Sequence, residues 1–333
     1  MKKIYIGLLT LVFVFTGCGT KRQYFEPEKI SADVVYTGSL PSPMVELSRY
    51  GATLSNGQFI SKEGLQGIKL EDGFNYFGEF DDRYIALDNQ GGLKVLDKSG
   101  QVQYEKKFPK SIVSASVNGD VLAGIDSSNS LFIMDMKSGN FYFVNRQDLA
   151  YAVDARVAAP YFLNSLVIFP TLDGKLVIVD WKNGKMIRDI VISSNPFFNN
   201  VIYLDVFNNQ LVAATARRVI SIAPSDTYFF DEKIKDLLVF DDSLLVLAQD
   251  GRVMILDKNL KIKKEHKFPF AILLSAMEED GLYFMEKKGH LIESDKDLEN
   301  IKVYELPDEV EKPIFMSNDT IFYDDNVIKL HSK

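Results

Sequence analysis

Short apolar runs recur along the chain, each followed by a tight polar turn and then by a run in which apolar and polar residues alternate. The clearest copy spans residues 166–192 and reads LVIFP, turn TLDGK, LVIVD, turn WKNGK, MIRDIVI. Alternation at period two is the signature of a strand, and Asp-Gly or Asn-Gly between two such runs signals a hairpin. No helical periodicity competes with this pattern; only 148–157 has the makings of a single helical turn.

Taking the end of the second strand as the anchor, eight copies line up. They end at Glu63, Asp97, Asp135, Asp180, Ala223, Asp257, Asp295 and His331, in steps of 34 to 45 residues. Runs such as GEF, SASV, LDVF and LLVF precede the copies and are expected to supply a fourth, outer strand. Repeats of this length built from short strands predict propeller blades. The last copy stops early, whereas two orphan runs, 32–37 and 44–48, precede the first. Pairing the orphans with the incomplete copy closes the ring and removes an exposed sheet edge. The expected fold is therefore all-β: an eight-bladed propeller of four-stranded antiparallel blades, its last blade closed by N-terminal strands. Seven blades is the alternative.

The N-terminus breaks the pattern. Lys2 and Lys3 precede an apolar run, residues 4–15, that is shorter than the ~20 residues of a membrane-spanning helix, and small residues follow. This is the layout of a secretory signal. Cys18 is the single cysteine, so no internal disulfide can form. Phe15-Thr16-Gly17-Cys18 resembles the lipobox of bacterial lipoproteins, which implies cleavage before Cys18 and its acylation, palmitate included. An ordinary signal peptide with a chance cysteine is the other reading. Gly19, where aspartate would imply inner-membrane retention, points to the outer membrane with the domain facing the periplasm. The expected organisation is a signal peptide over 1–17, a lipidated tether over 18–30 and one propeller over 31–333. Removing two lysines takes the formal charge from −8 to −10. An acidic domain without a basic stripe is not a nucleic-acid binder.

The segments DGKLVIVDWKNGKMI (173–187), GGLKVLDKSGQVQ and DGRVMILDKNLKI resemble the repeat of PQQ-type propellers. Quinone-dependent enzymes of that type need docking tryptophans and a metal-ligand set. Here Trp181 is the single tryptophan and stands in a turn, so no cofactor is expected. Within that superfamily, residues 153–192 resemble the BamB family of outer-membrane assembly lipoproteins, with Asp154, Pro160, Gly174, Asp180 and Gly184 in matching places. The resemblance implies a non-catalytic scaffold for β-barrel assembly that binds the barrel-insertion protein of the outer-membrane assembly machinery. The closing tryptophan of the repeat is absent, and the docking loops of that family have no residue-by-residue match. An envelope lipoprotein with another protein partner, such as an adhesin, uses the same fold equally well. A ligand-binding or enzymatic channel is the third reading.

Little in the sequence supports chemistry. His266, His290 and His331 lack the close spacing of a zinc site. Neither a G-x-S-x-G elbow nor a phosphate-binding loop is present. Asp97, Asp135, Asp180, Asp257 and Asp295 recur at one place in the repeat, either as a calcium-binding ring or, more in keeping with recurrence, as turn-forming residues. Asp81-Asp82 and residues 126–129 read as turns. The candidate partner-binding residues are Phe197 and Phe198, an apolar pair bracketed by loop residues, with Arg217 and Arg218 as a polar rim. A buried plug between blades is the competing account of the two phenylalanines. A closed ring predicts a monomer outside any complex.

Overall fold

Each repeat folds into a four-stranded antiparallel meander, and the eight sheets form an eight-bladed β-propeller. The computed structural model describes residues 23–150, 156–194 and 199–330. The expected signal peptide, Cys18, Asp154, Phe197, Phe198, His331 and half of the expected helical turn lie outside these residues. Among the described residues there is no helix. Blades 1 to 7 span residues 44–69, 74–107, 112–146, 161–191, 203–231, 234–267 and 273–305, and blade 8 combines 314–329 with 38–39.

The middle strands explain why the sequence reads as continuous apolar runs at these places. Both faces of a blade are covered by its neighbours, so period-two alternation sends successive side chains to different interfaces. In Ser243–Ala248, Leu245 and Leu247 pack toward blade 7 while Leu244, Val246 and Ala248 pack toward blade 5. In Val121–Asp126, Leu122 faces blade 2 while Val121, Ala123 and Ile125 face blade 4. The apolar core is thereby divided into eight clusters, one at each interface of the ring. Stability is shared among nearest-neighbour interfaces, as in other repeat proteins.

Two expectations need correcting. The runs GEF, SASV, LDVF and LLVF are the innermost strands rather than the outer ones, and neighbouring blades touch through these first strands around the axis. The outer strands are the polar, alternating ones, such as Val102–Lys107 and Ile262–Lys267, because solvent covers their edge and much of one face. Closure is also three plus one, not two plus two. Ile314–Ser317, Thr320–Tyr323 and Asn326–Lys329 supply three strands of blade 8, and Gly38–Ser39 completes it. Met44–Leu47 instead opens blade 1, while Ala32–Asp33 adds in parallel to the outer strand of blade 7.

The segment preceding these strands is seated on the propeller. Phe25 is buried between blades 6 and 7, edge-on to Phe268 (5.9 Å) and His290 (5.5 Å). Lys288 lies over the Tyr24 ring at 4.1 Å, and the Ser31 N–H donates to the Val303 carbonyl at 2.7 Å. Phe25→Ala removes the aromatic anchor of this segment, a loss of about 3–5 kcal/mol for a core phenylalanine. The expected result is faster proteolysis at 23–31 with the ring intact, seen by mass spectrometry of limited digests. An unchanged cleavage rate at 23–31 would contradict it.

Candidate functional site

The first strands surround the axis, and a turn of blade 1 crosses it. The Ser48 N–H donates to the Gly51 carbonyl at 2.9 Å, closing a turn that carries Arg49 and Tyr50 inward. Gly51 is required by close approach: a Cβ there would lie 2.0 Å from the Ile60 carbonyl oxygen and 2.6 Å from the Tyr76 ring. Arg49 reaches blade 6, with Nη1 3.4 Å from Asp236 Oδ1 and Nη2 donating to the Leu237 carbonyl at 2.9 Å. Its guanidinium also stacks 4.6 Å above the Tyr203 ring of blade 5. Arg156 approaches the same Asp236 oxygen at 3.3 Å and donates to the Lys235 carbonyl. Tyr50 accepts a 2.7 Å hydrogen bond from the Ala159 N–H of blade 4. Four blades are thus tied across the axis by one turn, and burial raises the Tyr50 and Tyr203 phenols above their usual range.

Tyr50 also forms part of the wall of a cavity of about 610 Å³. Its mouth lies where first strands turn into second strands and third into fourth. Five carboxylates line it, Glu63, Glu79, Asp81, Asp82 and Asp205, with Lys62 as the one lysine in the lining. Phe80, Tyr161 and Phe162 supply aromatic surface. Lys98 bridges Glu79 (2.5 Å) and Glu63 (3.3 Å), and Arg83 pairs with Asp81 at 2.6 Å. Asp82 and Asp205 are exposed and have no ion-pair partner among the described residues. Tyr76, 2% exposed, lines the same cavity, and its hydroxyl has no hydrogen-bond partner there. Burial, then the charges of Glu79, Tyr84 and Glu63, raise this phenol far above the ordinary tyrosine range.

Of the partner-binding candidates, Arg217 and Arg218 fall elsewhere. Arg217 is exposed in the turn between the second and third strands of blade 5, at the opposite end of the blades from the cavity mouth. Arg218 is held by Asp231 through two bonds of 2.5 and 3.0 Å and lies 5.5 Å from the Phe229 ring centroid. It also donates to the Ile192 carbonyl at 3.4 Å, beside the start of the segment that carries residues 197 and 198. The recurrent aspartates turn inward on their own turns. Asp97 Oδ1 accepts the Ser99 and Gln101 N–H groups at 2.9 and 3.0 Å, and Asp257 Oδ1 those of Asn259 and Lys261 at 2.8 and 3.0 Å. The calcium-ring alternative is therefore set aside for these residues, which sit at the outer hairpins and not around the axis. Among the described residues no group of three His, Cys, Asp or Glu could hold a metal ion. The His266 ring lies 4.5 Å from that of Phe268, tilted at 46°, and His290 Nδ1 meets the buried Glu286 at 3.2 Å, both near the seat of Phe25.

What sequence reading missed is the axial set, Arg49, Tyr50, Tyr76, Asp82, Asp205 and Asp236. Only Asp81-Asp82 carried a local signal, as a turn: both residues have positive φ, 51° and 55°, and form the two-residue hairpin that such angles favour.

The ring defines an eight-bladed β-propeller, a fold shared with BamB. The structure of BamB from Moraxella catarrhalis superposes with a TM-score of 0.65 at 16% identity, covering 89% of this chain and 99% of that one. The C-terminal WD40 domain of Sif2 gives 0.65 at 11% identity, covering 91% and 100%. These likenesses carry the fold, as the repeat had implied. No family model matches the chain. The plasminogen-binding protein PgbB of Helicobacter pylori strain ATCC 700392 / 26695 is 31% identical over 376 aligned residues, 98% of this chain and 69% of that protein. Its counterpart in strain J99 / ATCC 700824 is 32% identical over 377, covering 98% and 70%. The chain belongs to the PgbB family.

Proposed function

We propose that this chain is a non-catalytic envelope lipoprotein whose propeller binds a protein partner. The observation that carries the reading is the likeness to PgbB across nearly the whole chain, since those relatives are named for binding plasminogen. A ring tied across its own axis suits the role: it offers two rigid faces of loops and little internal motion. In this reading residues 1–17 direct export, acylated Cys18 anchors the chain in the outer membrane, and 18–30 lead to the propeller over 31–333. The partner favoured by family membership is plasminogen or a similarly built extracellular protein. Full-length protein in detergent is expected to bind immobilised plasminogen saturably by surface plasmon resonance. Absence of binding alongside a PgbB control that binds would remove that partner.

The second reading, a scaffold for the barrel-insertion protein during outer-membrane assembly, is supported by the BamB-like fold and the lipobox together. It requires the propeller to face the periplasm, with Phe197, Phe198, Arg217 and Arg218 offered as contacts. The anchor is common to both readings. Cys18→Ala is expected to move the protein from the membrane to the soluble fraction, because each acyl CH₂ buried in a bilayer contributes ~0.8 kcal/mol. Retention of the variant in the membrane fraction would contradict the anchor.

A further inference from the structure

Three features of the cavity beside Tyr50 converge on one kind of ligand. Its lining is acidic, and the two carboxylates that face it without an ion-pair partner among the described residues, Asp82 of blade 2 and Asp205 of blade 5, come from different sides of the ring. Tyr76 places on the same wall a buried hydroxyl that the described residues leave without a hydrogen bond. An orphaned buried hydroxyl is unfavourable, and an incoming donor would relieve it. Aromatic rings complete the wall, and Tyr161 and Phe162 give a cation's aliphatic stem an apolar surface and its charge a π face. A volume of about 610 Å³ is within the range of small-ligand sites and holds a single long side chain with water.

We infer that this cavity is a receptor for one basic group, an alkylammonium or guanidinium, carried on a loop of a protein partner or on a free amine. The carboxylates of Asp82 and Asp205 attract the charge, and the Tyr76 hydroxyl accepts one of its N–H bonds. The site requires no particular partner. Its protein source rests on the protein-binding reading above.

The test uses the full-length protein in a non-ionic detergent. Nα-acetyl-lysine amide and agmatine are titrated in by calorimetry at low and physiological salt, with Nα-acetyl-norleucine amide as the uncharged control. Saturable binding of the cationic probes alone, weakened at higher salt, is expected. Asp82→Asn/Asp205→Asn should weaken it at least tenfold, and Tyr76→Phe several-fold with no change in salt dependence. All these variants should retain the wild-type circular dichroism spectrum. Equal binding of the norleucine probe, no saturable binding, or undiminished affinity in the double aspartate variant would each overturn the inference. The same variants are then assayed against the protein partner, with agmatine as competitor. Partner binding that falls in the variants and yields to agmatine places the basic group on the partner. Amine binding without partner binding leaves the site standing and removes the protein-binding reading. Partner binding without amine binding does the reverse.

Discussion

Asn129→Ala is expected to cost about 3–5 kcal/mol of stability. Asn129 is fully buried at the interface of blades 3 and 4. Its Nδ2 donates to the Asp148 carbonyl and to Asp173 Oδ1, both at 2.9 Å, and its Oδ1 accepts the Leu172 N–H at 2.9 Å. Alanine strands the buried Leu172 N–H and removes one of the hydrogen bonds that hold the Asp173 carboxylate, which keeps Lys175. It also places a Cβ residue lacking asparagine's local bonds at φ 60°, where an ordinary side chain costs roughly 1–2 kcal/mol. Asn129→Gly loses the same bonds without that strain and should be milder by about 1 kcal/mol. Denaturant unfolding of the three proteins checks the order, and equal midpoints for wild type and Asn129→Ala would refute it.

The same variant should change the acid limb. Burial alone would raise the Asp173 carboxyl, but hydrogen bonds from Lys175, Thr171 and Asn129 outweigh it and hold the group below 3.8. A carboxyl depressed in the folded state stabilises the fold above its unfolded value, and that contribution is lost as pH falls through the lower folded value. Without Asn129 the folded value rises toward 3.8 and the contribution shrinks.

Asp236→Ala is expected to cost about 3–4 kcal/mol, because it leaves Arg49 and Arg156 partly buried without their shared carboxylate. Arg49→Met should cost less, about 1–2 kcal/mol, since Asp236 keeps Arg156 and the methionine still packs on Tyr203. A double-mutant cycle for Arg49 and Asp236 should give a coupling of at least 0.5 kcal/mol. Strict additivity would mean that the turn at 48–51 does not bridge the axis.

The sequence shows the blades better than it shows the site, for a physical reason. Hairpins are specified locally by turn residues and alternation, so the eight copies and their Asp-containing turns could be read directly. Which strand faces the axis depends on ring closure, and an inner strand such as Phe74–Phe80 carries no mark separating it from an outer one. Gly38–Ser39 completes blade 8 with two residues, too few for any pattern. Arg49 meets Asp236 across 187 residues, and Asn129 meets Asp173 across 44. Residues 126–129 could be read as a turn, but the bonds that Asn129 sends into the next blade follow from how two blades pack. The same holds for the cavity, whose carboxylates come from blades 1, 2 and 5.

Binding of a protein partner at the cell envelope should be visible by cross-linking in intact cells, followed by mild-detergent capture of the tagged full-length chain and mass spectrometry. One partner is expected at near-equal yield, with its cross-links confined to propeller loops and lost in a chain unfolded by Asn129→Ala/Asp236→Ala. Recovery of the chain alone, or of many proteins cross-linked equally to the unfolded variant, would contradict it.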